Sequence, residues 1–154
     1  MRPIKLKIKG LNSFVEEQTI DFEKLTKQGF FGIFGPTGSG KSTILDGMIL
    51  ALYGMKAMSR GTNEFVNKNC KSAQVSYEFQ ITAAQVKRYR VEREFKAGEK
   101  GTKSGKCRLL DVTDGETVLE ESVTGVDRAC VEIIGLTADD FIRTVVLPQG
   151  KFSE

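Results

Sequence analysis

The chain contains no histidine. No side chain therefore titrates near neutral pH without a strong perturbation, and most zinc-enzyme mechanisms lose their usual ligand. Cysteine is scarce as well. Cys70, Cys107 and Cys130 are odd in number, far apart, and never form a C-x-x-C pair. Neither a disulfide framework nor a zinc site is suggested, and buried, reduced thiols are expected. No run of about 18 apolar residues is present to cross a membrane. The start, Met1-Arg2-Pro3-Ile4-Lys5, lacks the apolar core of a secretory signal, so a cytoplasmic location is expected. Internal repeats and low-complexity segments are also missing. What remains is ordinary for one globular domain: 154 residues, 40% apolar and 28% charged, long enough to bury its own core.

Glycine is plentiful, with 16 residues, and its placement is informative. Residues 35–43 read Gly35-Pro36-Thr37-Gly38-Ser39-Gly40-Lys41-Ser42-Thr43, a complete G-x-x-x-x-G-K-[ST] loop built to hold phosphate. Gly35, Gly38 and Gly40 let the main chain approach closely and reach φ > 0, so that successive N–H groups form an anion nest. Lys41 is a mobile point charge that reaches the β- and γ-phosphates. The Ser42 hydroxyl is placed to hold Mg²⁺, a hard ion that prefers oxygen. The apolar run 30–34 before the loop predicts a strand buried on both faces. After it, Ile44, Leu45, Met48, Ile49 and Leu52 share one face of a helix that Gly54 stops. A helix beginning at the loop adds its dipole to phosphate attraction.

Elsewhere the pattern is mostly extended. Ile4, Leu6 and Ile8 alternate with Lys5, Lys7 and Lys9, giving a strand with one buried and one wet face. Residues 19–22 suggest a second strand, and 55–69 read as a loop with room for one short helix. Alternation returns over 74–81, where Val75, Tyr77, Phe79 and Ile81 fall on one side, and over 89–95, where Tyr89, Val91, Arg93 and Phe95 do. The Gly-, Lys- and Ser-rich stretch 96–106 predicts a mobile hairpin tip. Residues 107–112 and a turn at Asp114-Gly115 complete an antiparallel meander over about 74–123. The period then becomes helical, with Val126, Ala129, Cys130, Ile133 and Ile134 on one face and Gly135 as the stop. Thr137 caps a further helix that carries Asp139 and Asp140 in its first turn and ends before Pro148. The fold class implied is α/β: a phosphate-loop domain with an antiparallel β subdomain.

Charge is uneven. Residues 85–108 hold nine basic and three acidic side chains, a segment charge of +6 in a chain whose net charge is +3, so the rest carries −3. Such a basic strip suits nucleic-acid phosphate; Lys used to protect a sheet edge would read the same way. One element that phosphate-loop hydrolases need is not visible: an apolar strand ending in Asp that helps hold Mg²⁺ and orient water. Leu109-Leu110-Asp111 comes nearest, but its apolar run is short and a hairpin strand explains it better. The chain is therefore expected to be part of a larger catalytic unit.

The segment Leu147-Pro148-Gln149-Gly150-Lys151-Phe152 resembles the Q-loop of the SbcC-type DNA-repair ATPases, ABC-superfamily heads related to the chromosome-organising SMC proteins. Residues 20–22, the loop and helix start 35–46, and Ala51-Leu52-Tyr53-Gly54 match the same family. The resemblance implies the N-terminal lobe of such a head, with ATP and Mg²⁺ as cofactors. It assigns Lys41 and the loop amides to the phosphates, and Ser42 and Gln149 to Mg²⁺, with Gln149 also sensing the γ-phosphate. A Gln suits that role because its carbonyl faces a metal while its NH₂ holds water or phosphate. The family often places a basic residue after its first strand, where this chain has Leu11-Asn12-Ser13-Phe14. The resemblance further implies a coiled coil and a C-terminal lobe beyond residue 154, and a second copy of the head across two shared ATP molecules. It also implies an SbcD-type nuclease partner and action on double-stranded DNA in repair and recombination. The alternative is a structural SMC-, RecF- or RecN-like ATPase that clamps DNA without a nuclease.

Overall fold

The computed structural model describes residues 1–29, 31–36, 38–58 and 65–145. Six strands form one sheet in the order β2-β1-β3-β4-β5-β6: β1 Arg2–Lys9, β2 Gln18–Asp21, β3 Ser72–Thr82, β4 Val86–Gly98, β5 Gly101–Asp111 and β6 Thr117–Glu120. Every pairing is antiparallel. Among the described residues four α-helices accompany it: α1 Phe22–Leu25, α2 Lys41–Tyr53, α3 Val123–Ile134 and α4 Ala138–Thr144. β1 pairs with β3, so the first two strands join the meander in one sheet.

Alternation decides which sheet face is covered. Ile4, Leu6 and Ile8 of β1, Ala73, Val75, Tyr77 and Phe79 of β3, and Val91 and Phe95 of β4 are buried, beneath α2 and α3. The intervening Lys5, Glu78, Arg90 and Glu92 line the opposite, wetter face. Pro3 has no N–H for the ladder, and the register with β3 shifts between Pro3 and Lys5, which lets a proline enter an interior strand. The hairpin at 96–106 is more regular than its composition predicts. β4 and β5 stay paired out to Gly98 and Gly101, and Gly101 at φ 106° supplies the turn backbone that a side chain resists.

α2 buries a different surface from the one its apolar residues outline. Leu45 is exposed, whereas Gly47, Leu50, Ala51 and Tyr53 are buried together with Ile49 and Leu52. Gly47 explains the N-terminal half. A Cβ there would lie 2.8 Å from Ile8 Cδ1, so the helix approaches β1 through a residue that hydropathy does not count. The C-terminal half is enclosed from several sides. Tyr53 donates to Leu136 O at 3.0 Å and packs on Phe141 of α4 at 5.5 Å between ring centroids.

Arg93 closes the end of α2. Its Nε donates to Ala51 O at 2.7 Å and its Nη2 to Leu52 O at 3.2 Å, while Nη2 lies 2.7 Å from Asp127 Oδ1 on α3. Terminal carbonyls that no helical N–H can reach are thereby satisfied. Arg93 is only 4% exposed, so it belongs to the core and is removed from the basic strip. Burial pushes the Cys130 thiol up to about 12 and moves Cys107 upward too. Both cysteines are buried, and all three are free thiols.

The helix starts follow the sequence closely. Ser122 caps α3 by accepting from Gly125 N, Thr137 caps α4 by accepting from Asp140 N, and Gly135 stops α3 at φ 76°. The expected strand at 30–34 is the main difference. Phe31, Gly32, Ile33 and Phe34 lie outside any strand, and Phe34 is 94% exposed. A strand needs a neighbour to take its main-chain hydrogen bonds, and among the described residues none lies beside this segment. No helix among the described residues is long and apolar enough to cross a membrane.

Candidate nucleotide-binding site

The site is built at the N-terminus of α2, and the glycines set it. Gly38 at φ 85° and Gly40 at φ 91° carry the chain through left-handed backbone into the helix. Ser39 N donates to Pro36 O at 3.1 Å, closing the turn before it. A Cβ on Gly35 would lie 2.6 Å from Ser39 Oγ, so that position is closed to any larger residue without a shift of the serine. Thr37 lies outside the described residues, whereas Gly35, Pro36, Gly38, Ser39, Gly40, Lys41, Ser42 and Thr43 lie within them.

α2 begins unlike α1, α3 and α4. Those three start with a side chain, Asp21, Ser122 or Thr137, that accepts a first-turn N–H. α2 starts at Gly40 with no side-chain cap and no acidic residue in its first turn. Thr43 N reaches back to Gly40 O at 3.1 Å, which leaves the earlier amides as the donors that a helix start cannot satisfy internally. Its first residue is Lys41, a cation at the positive end of the helix dipole, which is electrostatically unfavourable for the fold. The ammonium donates to Gly35 O, to Pro36 O at 2.8 Å and to Ser39 Oγ at 3.5 Å. It thus sits over the loop it belongs to. Uncapped amides and a cation around one loop are an arrangement for an anion.

Sequence reasoning missed a brace behind this loop. The turn after β1 places Asn12 at φ 49°, the one non-glycine positive φ among the described residues. Its Nδ2 donates to Thr43 Oγ1 at 3.2 Å. Its main chain is held at both ends: Asn12 N donates to Phe65 O at 2.7 Å, and Asn67 Nδ2 donates to Asn12 O at 2.6 Å. Two residues on, the Phe14 ring covers Gly40, and a Cβ at Gly40 would meet it at 2.4 Å. An Asn in a Gly-Leu-Asn-Ser turn is a left-handed signal, but nothing in the sequence pairs it with Thr43.

Ser42 is exposed in the first turn of α2. Gln149, the other expected Mg²⁺ ligand, lies outside the described residues, as does the whole segment 147–152. The loop fits a triphosphate on the evidence of its uncapped helix start, its glycine backbone and Lys41. Asp111 has a local role instead: it accepts from Thr113 N at 3.0 Å and lies 3.8 Å from Lys87 Nζ. The Thr113 hydrogen bonds, with Lys87 adding, hold its carboxyl below the usual range, as suits a hairpin turn.

Comparison with known proteins agrees with this geometry. The AAA domain family matches residues 5–152. The chain belongs to that family. Within the AAA domain family it is similar to the SbcC component of the nuclease SbcCD from Clostridium acetobutylicum, 57% identical over 157 residues, which is 100% of this chain and 13% of that protein. It is also similar to the SbcC component from Bacillus subtilis, 50% identical over 156 residues, 100% of this chain and 14% of that protein. The chain thus spans about one seventh of the length of these relatives. Among solved structures, the SMC head domain from Thermotoga maritima aligns with 78% of this chain and 39% of its own, at 24% identity and a TM-score of 0.43. The SbcC-type resemblance carried by the loop and residues 147–152 holds along the whole chain.

Proposed function

We propose that this chain binds ATP with Mg²⁺ at residues 35–43 and forms the nucleotide-holding part of an ATPase subunit. That subunit works with an SbcD-type nuclease on double-stranded DNA ends, in repair and recombination. The observation that carries this reading is the start of α2, where an uncapped helix N-terminus and Lys41 meet in a glycine loop. The relatives' name supports the nuclease partnership. In this account Gly38, Gly40 and Lys41 offer N–H groups to phosphate oxygens, and the Ser39 N–H and the Lys41 ammonium exchange their loop carbonyls for the phosphate tail. Gly35, Pro36, Thr37, Ser42 and Thr43 complete the cradle. Ser42 and Gln149 would hold Mg²⁺, which would supply positive charge to the phosphate tail. Residues 1–154 form one lobe of a head in this reading. A second copy of the head supplies the facing surface in an ATP-dependent dimer, inside the cytoplasm.

The test is the separation of binding from turnover. In the whole subunit Gln149→Ala is expected to slow ATP hydrolysis by more than tenfold, while changing ATP affinity by less than about threefold, because a water-positioning group acts mainly on the chemical step. Equal losses in both would remove the sensing role.

We assign DNA contact to the lysines of the β4–β5 hairpin, because most arginines of the basic strip are already paired. Arg88 is paired with Glu23 at 2.6 Å, Arg90 with Glu92 at 2.8 Å and also with Glu116, and Arg108 with Glu92. Lys96, Lys100, Lys103 and Lys106 are exposed, and no ion pair involves them among the described residues. Lys96 and Lys103 face each other across the ladder, a like-charge pairing that destabilises a sheet and that an anionic partner relieves. In the whole complex, Lys96→Glu with Lys103→Glu is expected to weaken DNA binding and to lower the slope of log affinity against log salt by roughly 1.8. An unchanged salt slope would reject the hairpin contact.

A further inference from the structure

We propose that Asn12 is a positioning residue of the nucleotide site, one that sets the Thr43 hydroxyl as a hydrogen-bond donor toward phosphate. The inference rests on the nucleotide reading above and adds a residue to it from outside the glycine loop.

Thr43 is only 5% exposed, and a buried hydroxyl needs partners for both its oxygen and its hydrogen. The oxygen has one, because Asn12 Nδ2 donates to it at 3.2 Å. With its lone pair engaged from that side, the hydroxyl hydrogen is directed away from the Asn12 amide. Thr43 lies three residues after Gly40 and next to Ser42, on the first turn of the helix whose amides are uncapped. A phosphate oxygen held by that turn is an acceptor of the right kind, and a hydroxyl already accepting one bond donates a stronger one.

The Asn12 backbone is held so that this orientation persists. A left-handed conformation is disfavoured at a non-glycine residue, though asparagine adopts it more readily than most. It is maintained here by Phe65 O on one side and by the Asn67 amide on the other. Asn67 N also donates to Gly10 O at 2.8 Å, fastening the turn at its base. Phe14, from the same turn, closes over Gly40. The turn after β1 therefore grips α2 at two points of its start, residues 40 and 43. A purely structural connection would need neither an amide aimed at a hydroxyl nor a strained backbone to aim it.

Glycine and aspartate both tolerate φ > 0, and this makes the proposal testable without disturbing the turn. Asn12→Gly keeps the backbone and deletes the amide. Asn12→Asp keeps the shape but reverses the polarity: its carboxylate accepts the Thr43 hydroxyl proton and adds a negative charge near the phosphates. Thr43→Val removes the hydroxyl. Magnesium–ATP affinity of the whole subunit is measured by equilibrium dialysis for wild type, the single variants and the Asn12→Gly/Thr43→Val double variant, with thermal melts alongside.

The expected result is a loss of about fivefold for Asn12→Gly, a comparable loss for Thr43→Val, and no further loss when the two are combined, because one acts through the other. Asn12→Asp is expected to lose more than Asn12→Gly. Wild-type binding with an unchanged Asn12→Gly variant, or with losses that multiply in the double variant, would overturn the positioning role and leave the nucleotide site standing. Absence of wild-type binding would remove the nucleotide reading itself and this inference with it. Should Asn12→Gly fail to fold, Asn12→Asp decides alone: affinity equal to wild type overturns the proposal.

Discussion

Replacing Lys41 by alanine is expected to reduce magnesium–ATP affinity at least tenfold while leaving the melting temperature unchanged or slightly raised. The two halves of that expectation have different causes. A hydrogen bond between a charged donor and a phosphate contributes about 1.5–3 kcal/mol, which sets the loss of affinity. For the fold, Lys41 is a liability. It places a cation at the positive end of α2, at a cost of about 0.3–1 kcal/mol, which its hydrogen bonds to Gly35 O, Pro36 O and Ser39 Oγ offset in part. A residue that works against its own helix and is satisfied by main-chain oxygens is well placed for a ligand to claim. Titration calorimetry and a thermal melt on the same pair of proteins check both halves. A variant that binds ATP as well as the wild type would show that the ammonium never reaches the phosphates.

Arg93→Met is expected to have the largest effect on stability, about 3–5 kcal/mol. That is a large share of the roughly 5–15 kcal/mol that holds a domain folded. The substitution leaves the Ala51 and Leu52 carbonyls without their donor and the Asp127 carboxylate without its counter-charge. Methionine fills much of the volume, so the effect reads out the lost charge and hydrogen bonds rather than a cavity. Adding Asp127→Leu should restore part of the loss, because no unpaired carboxylate then remains. Urea denaturation of the two variants measures this. A loss under about 1 kcal/mol for Arg93→Met would mean that the end of α2 does not depend on the guanidinium.

The same residue shows where a sequence stops being legible. Alternation places Arg93 beside Val91 and Phe95 on one side of β4, and that side is buried. Its charge nevertheless counts toward the basic strip, because one-dimensional reading does not reveal that two helix-end carbonyls and Asp127 wait for it. Local rules worked where the physics is local. The period-2 pattern of β1 and β3, the cap Thr137 and the stop at Gly135 all depend on neighbours within a few residues.

Tertiary demands decided the rest. Residues 31–34 have strand composition but no strand beside them among those described, so composition alone does not order them. Gly47 is silent in a hydropathy pattern, yet it sets how closely α2 meets β1. The glycine loop was legible because a phosphate cradle needs its residues consecutive. Asn12 and Phe14 lie more than twenty residues upstream of it, and only the fold brings them to Thr43 and Gly40.

The central claim is that the main-chain amides at the start of α2 receive a triphosphate. It is tested most directly by following the backbone amide resonances of Gly38, Ser39, Gly40 and Lys41 as magnesium–ATP is added to the chain. The account predicts saturable shifts at these four amides, larger than those of the β4–β5 hairpin and moved to at least tenfold higher magnesium–ATP concentration by Lys41→Ala. Shifts that spare the loop, or that persist unchanged in Lys41→Ala, would contradict it.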